Sequence, residues 1–405
     1  MWRVWILLSA SRLGEACGLG AALRAVAGLL VLALGASPAV SSAWTPAKSA
    51  AVDGLVTQFL ARVDATRGTL PEASLALVIG DQAGAMVAKG YGEPQPGMPA
   101  TAHTVYHVGS IAKQFTAAAV LDLIGRKARL RDGTPLTLDL ALSRIFEGVD
   151  HWPGMDADNG KQPVTLRTLL TMTSNLPNFT RRPPSATDPW GRIGAPELLS
   201  ELKKLEPWGW PNTFEYSNTS YFLLAEVIEE ALAPGEPVPR SHHDILRRTI
   251  FPRAGLVETG FVEDYAPGAI LARPIHRKKP VFDQPDWLKG SADIASSAMD
   301  LYAWNAALMS GRVLPPDVFA LMVSDGARVT PDLYYGMGWF VEHRAKGDVF
   351  THSGLVPGYT SYSLIATGSA KGGTDTWMSI TLLVNTDMVD GLDLLAEDLL
   401  RLARE

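Results

Sequence analysis

The chain has 405 residues, 47% of them apolar and 19% charged, a balance that supplies a hydrophobic core and excludes a disordered, collagen-like or coiled-coil protein. Against 42 Asp and Glu stand 36 Lys and Arg, a formal charge of −6. Phosphate contacts need a basic surface, so nucleic acid is not an expected partner.

Residues 1–43 read as an export signal. Arg3, Arg12 and Arg24 precede an uncharged stretch whose strongly apolar part, Ala25 to Ala36, is too short to span a bilayer comfortably. Ser41-Ser42-Ala43 offers small residues for cleavage, giving an exported chain, periplasmic or secreted, with 33 basic and 41 acidic residues and a net charge of −8. An uncleaved N-terminal membrane anchor is the alternative. Cys17 is the one cysteine and falls in this segment, so the rest has neither a disulfide nor a thiol nucleophile.

From residue 44 onward, Val52, Leu55, Val56, Phe59, Leu60 and Val63 recur at helical spacing. Ser74 to Ile79 reads as a strand, Gly80 to Gly84 as a turn and Ala85 to Ala88 as a returning strand. The middle, 131–287, is rich in Pro, Trp and short helical patterns. Near the other end, Tyr359 to Ala366 and Thr376 to Asn385 flank the turn-rich Thr367 to Asp375. A last helix carries Leu392, Leu395, Ala396, Leu399 and Leu402 on one face. The expected class is α+β, with one antiparallel sheet built from 44–130 and 288–405, flanked by helices from both chain ends. A largely helical insert, 131–287, would leave a cleft between the two parts.

Three short motifs carry chemistry. Ser110-Ile111-Ala112-Lys113 opens an Ala-rich helix, where positions i and i+3 share a face and a hydroxyl can meet an amine. A lysine buried among Ala and Phe loses its proton more readily and becomes available as a base. Taken alone the motif is a weak signal, and a capping Ser with a solvated Lys is the favoured reading of it. Tyr216-Ser217-Asn218, before the apolar helix Tyr221 to Ile228, can present a phenol and an amide to one cavity, or can merely cap that helix. In His352-Ser353-Gly354, the glycine allows close approach to a strand edge and the N–H beyond it can help hold an oxyanion.

In this order, with separations of 106 and 136 residues, the three motifs resemble those of the β-lactamase and penicillin-binding protein superfamily. They are most similar to its class C-like branch of β-lactamase-related serine hydrolases, esterases and D-alanyl-D-alanine carboxypeptidases. Ala76 to Gly92, Thr104 to Gly109, Val164 to Pro177, Ile250 to Leu256 and Tyr335 to Trp339 resemble further blocks of that family. The resemblance implies a β-lactamase/transpeptidase-like fold and a serine hydrolase working through an acyl-enzyme. Ser110 would be the nucleophile, Lys113 its base, Tyr216 a proton carrier and Asn218 a holder of Lys113 and substrate. The N–H groups of Ser110 and Leu355 would form the oxyanion hole, shaped by His352, Ser353 and Gly354. Four positions depart from the pattern: His352 stands where true β-lactamases usually have Lys, Met172 and Asn175 stand where His and Gly are common, and Leu355 replaces a frequent Gly after the triplet.

The implied substrate is a small ester or amide, with a β-lactam or D-amino-acid peptide as the alternative. A non-catalytic binding protein is the rival from another class. No cofactor is expected. No metal is expected either: His242 and His243 are adjacent and do not share a helix face, and His103 and His107 straddle a strand-like stretch. Arg277-Lys278-Lys279 reads as a solvated loop. Trp190, Trp208, Trp210 and Trp287 in the insert are candidates for lining an acyl pocket.

Overall fold

In the computed structural model of the chain, the described residues are 44–68, 70–146, 163–180, 200, 213–236, 240–265, 271–276, 288–368 and 376–405. The expected export segment, Arg277-Lys278-Lys279 and the four insert tryptophans lie outside them. Among the described residues no helix is long and apolar enough to cross a membrane.

Helix α1 (Pro46–Arg67) forms on the predicted period and buries Val52, Val56, Phe59 and Val63. Strands β1 (Leu75–Asp81) and β2 (Gly84–Tyr91) make a hairpin, its turn closed by Asp81 Oδ1 accepting the Ala83 N–H at 2.7 Å. The returning strand runs on to Tyr91, past the expected Ala88. Next, β3 (Val105–His107) leads through a 3-10 turn, Gly109–Ile111, into α2 (Ala112–Gly125). Residues Ala112 to Leu123 are buried without interruption. Small alanines let neighbours approach α2 closely, while Phe115 stacks on Trp304 with ring centres 4.1 Å apart.

After β4 (Arg129–Leu130) come α3 (Leu166–Leu170), α4 (Asn218–Glu230), β5 (Ala231–Leu232), α5 (His242–Ile245), a π turn at Leu246–Ile250, α6 (Phe251–Ala254) and β6 (Gly260–Phe261). The chain then forms β7 (Ile294–Ser297), α7 (Ala298–Met309) and α8 (Pro316–Met322). The remaining strands are β8 (Ala327–Arg328), β9 (Leu333–Tyr335), β10 (Phe340–Arg344), β11 (Gly347–Val356), β12 (Tyr359–Thr367) and β13 (Trp377–Val384), followed by α9 (Leu392–Arg404).

Both chain ends enter one antiparallel eight-stranded sheet of order β2-β1-β13-β12-β11-β10-β9-β8. Second and third in that order, β1 lies against β13 with Leu75 opposite Val384 and Asp81 opposite Met378. Burial along nearly the full length of both strands requires cover on both faces. Helix α7 packs on β1 and β13, while α9 packs on β12 and β13 with α1 against it. Leu400 is buried in α9 where Leu402 was expected, and Leu402 is only partly covered. Strands β8 to β11 have no counterpart in the sequence reading. Gly336, Gly338 and Gly347 and the charged run Glu342-His343-Arg344 interrupt any apolar alternation, and the strands are held by their neighbours' backbones instead.

A second sheet, β3-β7-β6, braces the approach to Ser110, and the Val108 N–H donates to Ile294 O at 3.0 Å. Two glycines then bring β11 against the Ser110 turn. Gly109 adopts φ 53, and a Cβ there would lie 2.8 Å from Leu355 N. A Cβ on Gly354 would lie 2.0 Å from Val108 O and 2.3 Å from Ser361 Oγ, which itself donates to that carbonyl. Both contacts are with backbone or a pinned side chain, so β11 must move. Gly354→Ala is expected to cost about 1–3 kcal/mol of stability, read from the midpoint of urea unfolding. An unchanged midpoint would mean that β11 is not clamped against the turn.

Candidate active site

Lys113 sits one helical turn after Ser110 and has no exposed surface. Its Nζ lies 3.0 Å from Ser110 Oγ, 2.7 Å from Asn218 Oδ1 and 2.8 Å from the Ser291 carbonyl. Burial holds the ammonium well below the usual lysine range, against the pull of the Asp293 carboxylate. A neutral amine fits these partners: its two N–H bonds go to Asn218 and Ser291, and the lone pair faces the Ser110 hydroxyl. Ser291 contributes a backbone carbonyl, so its residue type carried no signal in the sequence.

Tyr216 and Asn218 flank Ser217, whose hydroxyl caps α4 by accepting the Ser220 N–H. The capping role and the presentation of a phenol and an amide therefore coexist. The Tyr216 hydroxyl is hydrogen-bonded to Ser110, and Lys113 Nζ lies 5.0 Å from the centre of its ring. Burial pushes the phenol's pKa up, against that bond to Ser110, so Tyr216 rests as a neutral phenol.

The loop at 171–180 fixes this triplet, which the sequence reading did not foresee. Asn178 Nδ2 donates to Tyr216 O at 3.1 Å, and Asn178 Oδ1 accepts the Asn218 N–H at 3.3 Å. Asn218 Nδ2 donates to Thr180 Oγ1 at 3.1 Å, which orients the amide oxygen toward Lys113. Met172 and Asn175, flagged as departures, both have left-handed backbone, φ 55 and 58. Asn tolerates that conformation where glycine is otherwise the easy choice. Met172 O accepts the Glu215 N–H at 2.9 Å and so anchors the chain one residue before Tyr216.

On β11, pairing with β10 stops at Thr351, whereas pairing with β12 continues to Val356. Two-residue hairpin turns close both pairs, Arg344 with Gly347 and Val356 with Tyr359. Antiparallel alternation from those turns directs the backbone groups of Ser353 and Leu355 toward the side where β10 has ended. Leu355 N also lies against Gly109, the neighbour of Ser110. Ser110 stands at the start of a helical run, where no preceding turn supplies a carbonyl for its N–H. The two N–H groups expected to hold an oxyanion are thus close in space.

His352 is placed differently from a donor beside that hole. It is 1% exposed, with its ring 5.5 Å from Phe340, 6.0 Å from Tyr335 and 6.1 Å from Tyr216 between centres. Its Nδ1 donates to Ser353 O at 2.6 Å, so Nε2 faces the Tyr335 hydroxyl at 3.4 Å as an acceptor. Burial, reinforced by Lys113, pushes its pKa down to about 3. Ser353 and Leu355 are instead the exposed side chains of this segment.

The Beta-lactamase family profile matches residues 52–402. A penicillin-binding protein of Bacillus subtilis (strain 168) is 25% identical over 303 residues, covering 67% of this chain and 60% of that protein. A D-aminopeptidase of Brucella anthropi is 25% identical over 271 residues, covering 64% of this chain and 46% of that protein. The chain spans between 46% and 60% of the length of the curated relatives it matches. Among solved structures, the octameric penicillin-binding protein homologue from Pyrococcus abyssi superposes with a TM-score of 0.68 at 22% identity, covering 87% of this chain and 77% of that one. The D-amino acid amidase from Ochrobactrum anthropi SV3 gives 0.65 at 21% identity, covering 88% of this chain and 98% of the amidase. These likenesses show a shared fold, β-lactamase/transpeptidase-like. With a match over nearly all of its described length and this fold, the chain belongs to the Beta-lactamase family.

Proposed function

We propose that the protein is an exported serine hydrolase that cleaves small esters or amides through an acyl-enzyme on Ser110. The observation that carries this reading is the contact of the buried Lys113 Nζ with Ser110 Oγ at 3.0 Å, its other partners being Asn218 Oδ1 and the Ser291 carbonyl; in the neutral amine those two take the N–H bonds and the lone pair faces the hydroxyl. In the proposed reaction Ser110 Oγ attacks the acyl carbonyl and its proton passes to Lys113 Nζ. The N–H groups of Ser110 and Leu355 hold the oxyanion. As the carbon–leaving-group bond breaks, Tyr216 gives its proton to the departing group and regains one from Lys113. Water then attacks the acyl-enzyme, returns a proton through the same pair and frees Ser110. The exported location rests on the composition of residues 1–43.

Substrate preference follows from His352. Its buried ring is neutral far below pH 7, so the third motif offers no fixed cation to a substrate carboxylate, and neutral acyl groups are favoured. A second reading, an amide of a D-amino acid, is favoured by the backbone of Leu355 and the N–H of Ser353, on the side where β10 has ended, which can pair with a substrate amide. It accords with the names of the aminopeptidase and amidase relatives.

A fluorophosphonate probe should label Ser110 and fail to label Ser110→Ala. Lys113→Ala should lower kcat/KM for an ester by roughly 10⁴-fold or more at neutral pH. Labelling that persists in Ser110→Ala would refute the assignment. In a side-by-side assay of p-nitrophenyl acetate and butyrate, nitrocefin and a D-Ala-D-Ala peptide, ester turnover should exceed nitrocefin turnover. The reverse order would replace an esterase with a β-lactamase, and D-Ala release as efficient as ester cleavage would make it a carboxypeptidase.

The neutral burial of His352 also sets an acid limit on stability. On unfolding, the ring takes up a proton at the ordinary value near 6.5, so its contribution is complete above that pH. It falls on acidification, by at most about 1.4 kcal/mol per pH unit, until the folded value of about 3 is reached. Denaturant unfolding of the wild type and His352→Gln at pH 7 and 4.5 should show the smaller acid loss in the variant. Equal losses would mean that His352 does not titrate on unfolding.

A further inference from the structure

Away from Ser110, on the far side of Lys113's supports, three side chains converge that the proposed reaction does not use. His242, His243 and Asp293 each offer a ligand atom, and these atoms lie within 4.8 Å of one another. His242 Nδ1 is 3.6 Å and His243 Nε2 is 3.2 Å from Asp293 Oδ2. Ligands at Zn²⁺–N and Zn²⁺–O bond lengths in a tetrahedron sit about 3.3 Å apart. The expectation that adjacent histidines diverge fails for a specific reason. They occupy the first turn of α5 and use different ring nitrogens, the near Nδ1 of one and the far Nε2 of the other.

The hydrogen bonds around His242 determine which nitrogen carries its proton. Thr116 Oγ1 donates to Gly290 O at 2.8 Å and therefore accepts from His242 Nε2 at 3.1 Å. Nδ1 is left with a lone pair, fully buried, without a hydrogen-bond partner and aimed at a carboxylate. Asp293 Oδ1 is likewise buried without a partner, while Oδ2 accepts the Gly290 N–H at 2.9 Å. A lone pair facing a carboxylate is repulsive, and two unpaired buried acceptors are costly. A cation between His242 Nδ1 and the Asp293 carboxylate turns that repulsion into attraction, with His243 Nε2, now 3.2 Å from Oδ2, as the third ligand. The Thr116 and Gly290 contacts have the form of an outer shell that fixes a metal-bound imidazole. His243 stacks on Phe261 with ring centres 3.5 Å apart and stays 23% exposed, which holds its ring in place and leaves a way in.

We propose that His242, His243 and Asp293 form a binding site for a first-row divalent metal ion, with Zn²⁺ the best match to two imidazoles, one carboxylate and a water. The ion would tie α5 to the Gly290–Asp293 turn, whose Ser291 carbonyl holds Lys113.

The test uses the full chain without a histidine tag, stripped with chelator. Titrated with ZnCl₂, it should bind one equivalent saturably and unfold at a higher temperature. With Co²⁺ it should develop the intense visible bands of a tetrahedral site. His243→Ala, at the partly exposed ligand, should weaken Zn²⁺ binding at least tenfold, and Asp293→Asn should do the same if it folds, as judged by circular dichroism. Absence of saturable uptake, or equal uptake and an unchanged Co²⁺ spectrum in His243→Ala, would overturn the proposal.

Discussion

The removal of one amine from water shapes everything around Ser110. Lys113 lies at the start of a helix enclosed along its length, and its hydrogen bonds, with the pull of the Asp293 carboxylate, offset its lost hydration. Each of its partners comes from a different part of the chain: a hydroxyl on its own turn, an amide at the start of α4 and a carbonyl from the turn before β7. The loop at 171–180 orients the amide, and Asp293 and Gly290 shape the turn that bears the carbonyl. The surrounding scaffold is therefore arranged around satisfying a single nitrogen.

Phenol and imidazole respond to the same dry environment in opposite senses. Burial raises the pKa of Tyr216 and lowers that of His352, and both end up uncharged. The site thus holds an amine whose charged form is disfavoured, a neutral phenol and a neutral imidazole. Such a centre gains most from charge that develops during reaction, because preorganised N–H donors act on it through a weakly screening medium.

How much of this was legible beforehand depended on whether a residue acts through its side chain type. Ser110, Lys113, Tyr216 and Asn218 stood out as chemical groups at meaningful spacings. Ser291 holds Lys113 through its backbone carbonyl, which any residue supplies, and the part expected of Leu355 is likewise its N–H, to which Gly354 in the third motif pointed. Asn178 and Thr180 sit in a Pro-flanked loop whose polar residues read as ordinary turn chemistry. Strands with a continuous apolar run, β1, β12 and β13, were readable from pattern, whereas β8 to β11 are strands by virtue of their neighbours. The inward placement of His352 follows strand parity in β11, which depends on a register set by two hairpin turns and not by the local sequence.

The pairing of β1 with β13 has a consequence for how the chain is made. Leu75 and Val384 become partners only after some three hundred intervening residues have been synthesised, so the ladder that joins the two chain ends is among the last contacts available to a growing polypeptide. Until then the β1–β2 hairpin has an unpaired, apolar inner edge, the kind of surface on which chaperones and aggregation compete. A chain assembled this way folds slowly, since its decisive contacts close very long loops.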